Sequence, residues 1–212
     1  MLLEIIQEPN LKLRQVSAPV DVSNGIPEEI TKLISDMAET MYSSAGVGLC
    51  AIQVNKPVQV IIFDVTQDRG KVSDFRAFIN PKLFYTDGTE YEPGTAEAPN
   101  LVKKGIKTIN SQEGCLSVPF VFDVLQRAEE LVVKFINVNG QEDQLHLFGE
   151  EALCMQHEYD HMHGILFTDR LSRLKLAAHK KNKGKAMITA GRRMINAINT
   201  GTANGNKLIS LM

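Results

Sequence analysis

The chain has 212 residues, of which 43% are hydrophobic and 23% are charged, as expected for one globular domain or one domain with an appendage. These values exclude a collagen-like, coiled-coil or wholly disordered chain, and no apolar run is long enough to span a membrane. The net charge of −2 conceals an asymmetry, because all 25 acidic residues lie in residues 1–169, whereas residues 170–212 are strongly basic.

The N-terminal sequence and the cysteine content indicate in which cellular compartment the protein is found. The first eight residues have no basic start and include acids within their apolar stretch, so they do not resemble a secretory signal. The three cysteines, an odd number, do not indicate a disulfide framework. We therefore expect a cytoplasmic protein with no membrane or DNA partner, in which a special cysteine is a metal ligand or a nucleophile.

Hydrophobic periodicity predicts two helices. Residues 27–43 form the first, because Pro27 suits a first turn and the apolar residues that follow share one face. Residues 150–164 form the second, with acids at its start and Gly164 placed to end it.

Alternating apolar segments predict four strands, over residues 58–65, 75–80, 131–138 and 144–148. Asn139-Gly140 predicts a two-residue hairpin between the last two, and the composition of residues 86–111 predicts a long surface insertion. Hairpin strands with two separate helices favour an α+β fold over an alternating βαβ pattern.

The most informative motif is His157-Glu158-Tyr159-Asp160-His161, an H-E-x-x-H sequence inside the second predicted helix. Positions i and i+4 share a helical face, so His157 and His161 can bind one metal ion. Glu158 then lies beside them, placed to take a proton from a water molecule. The alternative is an ordinary amphipathic helix with two core or surface histidines.

The third metal ligand decides the class of enzyme. The position where an extended metalloprotease pattern requires histidine is Phe167, and no glutamate follows Glu158. Asp169 is the last carboxylate in the chain and leaves an Asp-ligated endopeptidase as one alternative.

Upstream of His157, the candidates for that ligand are Cys50, Cys115, Cys154, His146 and a larger set of carboxylates. Cys115 follows a glycine that lets the backbone approach a buried centre, and a free buried thiol is the alternative interpretation. Cys154 precedes His157 by three residues, and we favour a core residue or a pocket wall over a ligand there.

Three segments, in this order, resemble the peptide deformylase family. Residues 46–53 (GVGLCAIQ) are similar to the family's G-x-G-L-A-A-x-Q, residues 113–117 match E-G-C-L-S, and residues 156–161 match Q-H-E-x-D-H. The resemblance covers residues 1–175. It implies antiparallel β-sheets packed around a central helix with the H-E-x-x-H motif, and a basic helix in a C-terminal extension over residues 176–212.

The resemblance also implies an activity and a site. The family removes the N-formyl group from the N-terminal formylmethionine of newly synthesised polypeptides and releases formate. Its metal is Fe²⁺, and Zn²⁺, Ni²⁺ or Co²⁺ can occupy the site. The roles that carry over are metal ligands (Cys115, His157, His161), the acid/base (Glu158), oxyanion donors (Gln53 and the backbone N–H of Leu116), the methionine pocket (Val47, Gly48, Cys154) and a structural ion pair (Glu113, Arg127).

Two departures from the family pattern lie near these residues. Cys50 replaces the usual alanine and adds a thiol near the site. The segment Phe120-Val121-Phe122-Asp123 lacks the basic residue that some members use to hold the substrate backbone. The departures therefore affect the expected details of peptide binding and leave the ligands and the general base in place.

The basic tail allows two interpretations. Bacterial deformylases often end in a basic helix that docks on ribosomal RNA, and the charge of residues 170–193 is consistent with such a partner. The alternative is a solvated tail that aids solubility.

A third hypothesis for the whole chain is a metal-binding or ribosome-associated protein that kept the scaffold and lost turnover.

Overall fold

The computed structural model describes residues 1–66, 74–94, 101, 104–179 and 181. It divides the chain into two compact units, Met1–Arg170 and Leu171–Met212. The first unit has the mixed α+β architecture that the sequence predicts, with antiparallel sheets and few helices. The predicted domain boundary after residue 175 stays a prediction.

Seven strands form two antiparallel sheets. The larger sheet has the order β1-β2-β3-β6-β7, and β4 pairs only with β5 among the described strands. Central pairs such as Ile61 opposite Phe78 bury apolar side chains on both strands. The strands are β1 (Gly48–Cys50), β2 (Val60–Phe63), β3 (Arg76–Phe84), β4 (Thr108–Cys115), β5 (Val118–Ala128), β6 (Glu130–Ile136) and β7 (Glu142–Phe148).

Two α-helices pack on these strands. Helix α1 (Glu28–Ser43) begins directly after Pro27, has two acids in its first turn, and buries one apolar face that includes Met37 and Met41. Helix α2 (Glu150–Met162) contacts β1, β2, β5 and β7. Short 3-10 helices lie at Leu11–Arg14, Ala51–Val54 and Phe167–Arg170.

A buried side-chain amide fixes α2 against β5. Gln156 Nε2 donates to the carbonyl of Ala128 at 2.9 Å, and the Ala128 N–H donates to Gln156 Oε1 at 3.1 Å. These two hydrogen bonds satisfy the buried N–H and carbonyl of Ala128, as a neighbouring strand would on that side of β5. The residue before the H-E-x-x-H motif thus sets the distance between the helix and the small sheet.

Several boundaries differ from the sequence prediction. The second helix ends at Met162, and the turn between β6 and β7 spans residues 137–141 rather than two residues. The sequence analysis did not predict β4 or β5. Strand β4 is mostly polar and contains a glycine, and neither strand shows a clean alternation of apolar and polar residues. Residues 86–111 are not simply a surface insertion, since Tyr91 is buried and β4 begins inside that segment.

The second unit is described only at its beginning. The backbone is helical over residues 173–179 and at residue 181, where the sequence predicts the start of the basic helix. The rest of the basic tail, residues 182–212, lies outside the described residues. No helix in the described part of the chain could cross a membrane.

Candidate metal centre and active site

Three side chains from two distant segments converge at the end of β4. Cys115 is the last residue of β4, at a bulge where Gly114 and Cys115 shift register against β5. His157 and His161 are one turn apart on α2. The ligand atoms of these three residues all lie within 4.8 Å of one another, and Cys115 Sγ lies 3.1 Å from His161 Nε2.

This donor set fits a divalent transition-metal ion. One thiolate and two imidazoles are ligands that iron, zinc, nickel and cobalt all accept. His157 Nδ1 pairs with Glu113 Oε2 at 2.8 Å, which leaves its Nε2 as the ligand atom. A tetrahedral ion held by these three residues would keep a fourth coordination position for solvent or substrate.

A buried network of charges holds His157 from behind. The Arg127 guanidinium makes two hydrogen bonds to Glu113, at 2.7 and 2.8 Å, and a third to Asp160 at 2.6 Å. Burial opposes ionisation of Glu113, but the hydrogen bonds and charges of Arg127 and His157 outweigh it and place the Glu113 pKa well below its usual range. The carboxylate is therefore ionised and fixes the His157 ring.

The Asp160 carboxylate pairs with two arginines and not with an imidazole. Its carboxylate is buried and bonds Arg127 on one side and Arg170 on the other, at 2.7 and 2.8 Å from Arg170. Arg170 also bonds the Tyr91 hydroxyl at 3.1 Å. Asp160 thus joins the network behind the site and is not a surface carboxylate.

Removal of Arg127 is expected to destabilise the fold. The side chain is 2% exposed, so Arg127→Met leaves two buried carboxylates without their shared cation and should cost about 3–5 kcal/mol in the free energy of unfolding. Urea unfolding at neutral pH measures this. Arg14→Met is the matched control, because both side chains of its pair with Asp169 are exposed, and it should cost at most about 1 kcal/mol. Equal losses in both variants would contradict the assignment.

Glu158 lies on α2 beside the two histidines and is almost fully buried. Burial is the main cause that raises the Glu158 pKa to about 7, and the nearby Glu113 charge adds to it, while His157 opposes it. Its Oε2 atom has no hydrogen-bond partner among the described residues. A buried carboxyl group with a pKa near neutrality and a free oxygen is suited to accept and return a proton.

Gln53 approaches the site from the short helix after β1. Its Oε1 accepts from the Cys50 N–H at 2.8 Å, which turns its Nε2 towards Cys115 Sγ at 3.6 Å and Ser117 Oγ at 3.2 Å. Leu116 lies in the two-residue turn directly after Cys115. Both predicted oxyanion donors are therefore next to the candidate metal ligand.

The predicted pocket residues also lie together. Gly48 is covered by α2 so closely that a Cβ atom there would lie 2.6 Å from Glu158 Oε1 and 2.7 Å from Cys154 Sγ. Cys154 Sγ lies 3.9 Å from the Val47 carbonyl oxygen. Burial raises the pKa of the Cys154 thiol well above its usual range, so the thiol stays neutral, as a pocket wall requires.

The alternative third ligand is placed elsewhere. Asp169 pairs with Arg14 and accepts the backbone N–H of Leu166, and it does not join the cluster of three ligand atoms. The geometry therefore disfavours the endopeptidase hypothesis.

Sequence reasoning missed three residues of the site. Ser117 hydrogen-bonds Gln53, and its position within the E-G-C-L-S segment was the available signal. Tyr91 and Arg170 complete the network behind His157. Tyr91 gave no signal, because it lies in a segment whose composition predicts an exposed loop.

Comparisons with known proteins agree with this geometry. The family model described as polypeptide deformylase matches residues 2–177. A peptide deformylase of Neisseria meningitidis is 42% identical over 175 residues, which cover 82% of this chain and 89% of that protein. Peptide deformylase 1 of Burkholderia multivorans is 37% identical over 186 residues, which cover 87% of this chain and 88% of that protein.

Solved structures that resemble this chain are also peptide deformylases. The crystal structure of a peptide deformylase from Legionella pneumophila matches with a TM-score of 0.70 and 30% identity, covering 89% of this chain and 98% of that chain. The Ehrlichia chaffeensis enzyme in complex with actinonin matches with a TM-score of 0.69 and 30% identity, covering 87% and 97%. On the fold, the ligand cluster and these matches together, this chain belongs to the polypeptide deformylase family, the enzymes that remove the formyl group from N-terminal methionine.

Proposed function

We propose that Cys115, His157 and His161 bind one divalent cation, at which this chain hydrolyses the N-formyl group of formylmethionyl polypeptides. The observation that supports this most strongly is the convergence of three ligand atoms within 4.8 Å of one another beside the buried carboxyl group of Glu158. A cation held there would supply the Lewis acidity that polarises a formamide and lowers the pKa of a water molecule.

Glu158 is the proton carrier in this proposal. Its free Oε2 takes the proton from the attacking water and returns it to the nitrogen of the departing amine. Because formate and a free amine are the products, one proton must move from the water to that nitrogen. Burial, which raises the Glu158 pKa, favours the neutral carboxyl group that returns the proton after it has been accepted.

Gln53 and the backbone N–H of Leu116 stabilise the negative charge that develops on the formyl oxygen. The Cys50 N–H fixes the Gln53 amide, so its N–H groups are oriented before substrate arrives. A preorganised donor of this kind is worth about 3–4 kcal/mol in the transition state. Val47, Gly48 and Cys154 line the pocket for the methionine side chain.

We propose Fe²⁺ as the ion in the cell, since the family resemblance implies it and the donor set accepts it. Zn²⁺, Ni²⁺ or Co²⁺ can take its place when Fe²⁺ is lost on exposure to oxygen during purification. Metal analysis of protein purified without oxygen tests the identity: iron near one equivalent is expected, and zinc at one equivalent with no iron would contradict this assignment.

Formate release from a formyl-Met-Ala-Ala peptide tests the proposed reaction. Anaerobically purified chain loaded with Fe²⁺ should release one formate for each free methionyl amine formed, and Glu158→Gln serves as the control. Actinonin, which is bound in the Ehrlichia chaffeensis structure, should block the release. Metal-loaded chain that gives no formate would favour the hypothesis of a scaffold without turnover.

We also propose that the basic tail binds the ribosome in the cytoplasm, where formylated polypeptides are made. Removal of residues 180–212 is expected to weaken ribosome binding, because it deletes seven of the ten basic residues of the tail, and to leave hydrolysis of a short formyl peptide intact. Co-sedimentation at two salt concentrations measures the affinity. An unchanged affinity after truncation would support the solvated-tail alternative.

A further inference from the structure

The two proposed oxyanion donors lie on different segments of the chain. Gln53 belongs to the 3-10 helix Ala51–Val54, whereas Leu116 lies in the turn between β4 and β5. These segments are remote in the sequence, so tertiary contacts determine how the donors are placed relative to each other. Two donors stabilise the same oxygen atom only if both point at it, which requires their positions to be fixed to within about 0.5 Å. A contact that links the two segments therefore affects the rate of the proposed reaction.

Ser117 is the first such link. Its side chain is fully buried, and its Oγ accepts a hydrogen bond from Gln53 Nε2 at 3.2 Å. The Cys50 N–H holds the other end of the same amide, at Gln53 Oε1. Because the amide group is planar, contacts at both its oxygen and its nitrogen fix the orientation of the whole group.

The Gln53 amide keeps one N–H group for the substrate. Its Nε2 carries two hydrogen atoms, of which one is directed at Ser117 Oγ. The other is directed at the candidate ligand Cys115, whose Sγ lies 3.6 Å from Nε2. The last torsion of a glutamine side chain is soft, so without the contact to Ser117 the second N–H group would not be held towards the candidate metal centre.

The N-terminal segment 6–8 is the second link. The Ile6 N–H donates to the Gln53 carbonyl at 2.8 Å, and the Glu8 N–H donates to the Ser117 carbonyl at 2.8 Å. Alternate residues of an extended backbone face the same side, which lets one short segment bond both carbonyls. Two residue steps span at most about 7 Å, so this bridge limits the distance between the two segments that carry the donors.

We propose that Ser117 and the backbone of segment 6–8 position the two oxyanion donors. They act through Gln53 and Leu116 and do not touch the reacting atoms, so they are positioning residues. This inference rests on the proposed function and adds to it the groups that hold the donors in place. Only the backbone N–H groups of the N-terminal segment take part, so the side chain at position 8 should matter little for turnover.

A double-mutant cycle with Gln53 tests the role of Ser117. Ser117→Ala should lower kcat for a formyl-Met-Ala-Ala peptide about 10-fold, the effect of one hydrogen bond lost in the transition state, with KM within about twofold of the wild type. In a Gln53→Ala background the same substitution should change kcat less than about twofold, because the amide that Ser117 orients is gone. Ser17→Ala is the matched control, since Ser17 is also buried and its Oγ has no hydrogen-bond partner in the described part of the chain. An equal loss of kcat in both backgrounds overturns the positioning role.

Solution NMR of the zinc-loaded protein gives a readout that does not depend on turnover. The Gln53 side-chain amide, assigned by its absence from the spectrum of Gln53→Ala, should be rigid, with an order parameter of about 0.85, and Ser117→Ala should lower this value below about 0.6. A mobile amide in the wild type, or an equally rigid one in Ser117→Ala, overturns the inference. Ser117→Ala should keep its metal, because the backbone N–H of residue 117 still donates to Cys115 Sγ at 3.4 Å. Loss of metal would mean that Ser117 supports the ligand instead, and would also overturn the inference.

Two substitutions at position 8 test the N-terminal segment. Glu8→Pro removes the N–H that bonds the Ser117 carbonyl and should lower kcat by about 10- to 100-fold, the effect of a small displacement of a donor. Glu8→Ala is the matched control, because it keeps the N–H and removes only a side chain that is 36% exposed, and it should keep the wild-type kcat. Equal kcat in the two variants overturns the role of the segment. If Glu8→Pro does not fold, hydrogen exchange in the wild type decides: protected Ile6 and Glu8 amides support the bridge, and unprotected ones overturn it.

The outcomes separate this inference from the reaction itself. Wild-type protein that releases no formate contradicts the proposed function, while the mobility of the Gln53 amide still tests whether Ser117 holds it. Formate release by the wild type, with equal losses in both backgrounds of the cycle, contradicts only the inference.

Discussion

Cys115→Ala is expected to abolish stoichiometric metal binding. The substitution removes the candidate ligand at the end of β4 and leaves two imidazoles from one helical turn, which cannot by themselves enclose a cation tetrahedrally. Loss of a residue that merely supports a ligand costs about 10- to 100-fold in metal affinity, so loss of the ligand itself should exceed about 100-fold. Dialysis against a chelator followed by metal analysis measures this.

Cys154→Ala is the matched cysteine control for that experiment. Cys154 is on the same helix as the histidines and its thiol stays protonated, so this variant should retain about one metal per chain. Full metal content in Cys115→Ala, together with loss of metal in Asp169→Asn, would contradict the proposed ligand set and restore the Asp-ligated alternative.

Glu158→Gln is expected to stop turnover while the metal stays bound. The amide matches the carboxylate in shape but cannot take a proton from water, and such a loss lowers kcat by about 10²- to 10⁴-fold. The neutral side chain also removes a buried ionisable group, so the folded protein should be at least as stable as the wild type. Formate release under saturating substrate measures kcat, and metal analysis of the same sample checks the site.

Other results for the metal content and kcat of Glu158→Gln would assign Glu158 another role. Loss of metal in Glu158→Gln would make the side chain a ligand or a support for one. A kcat within about tenfold of the wild type, with full metal content, would mean that another group moves the proton.

The sequence predicted the helical part of the site well and the sheet part only through resemblance. The H-E-x-x-H spacing placed His157 and His161 on one face of a helix, because helical periodicity relates residues four apart. Cys115 is 42 residues before His157 in the chain, and no local rule brings such distant residues together. The E-G-C-L-S similarity supplied that candidate ligand, and the register of β4 against β5 explains its position.

Tertiary contacts account for what the sequence did not predict. Asp160 could face solvent or an imidazole by helical spacing alone, and its actual partners, Arg127 and Arg170, come from a strand and a short 3-10 helix. Tyr91 is buried although its neighbours have loop composition, because its ring packs against Tyr85 and Tyr159 and its hydroxyl bonds Arg170. The burial and the hydrogen-bond partners of such residues depend on contacts with residues that are remote in the chain.

X-ray absorption spectroscopy of the metal-loaded protein is the most direct test of the whole account. We predict one sulfur ligand at about 2.3 Å and two imidazole nitrogens at about 2.0–2.1 Å for the zinc form, with the same sulfur signal in a metal-loaded Cys154→Ala sample. A first shell of nitrogen and oxygen only, in wild-type protein with full metal content, would contradict the three-residue centre.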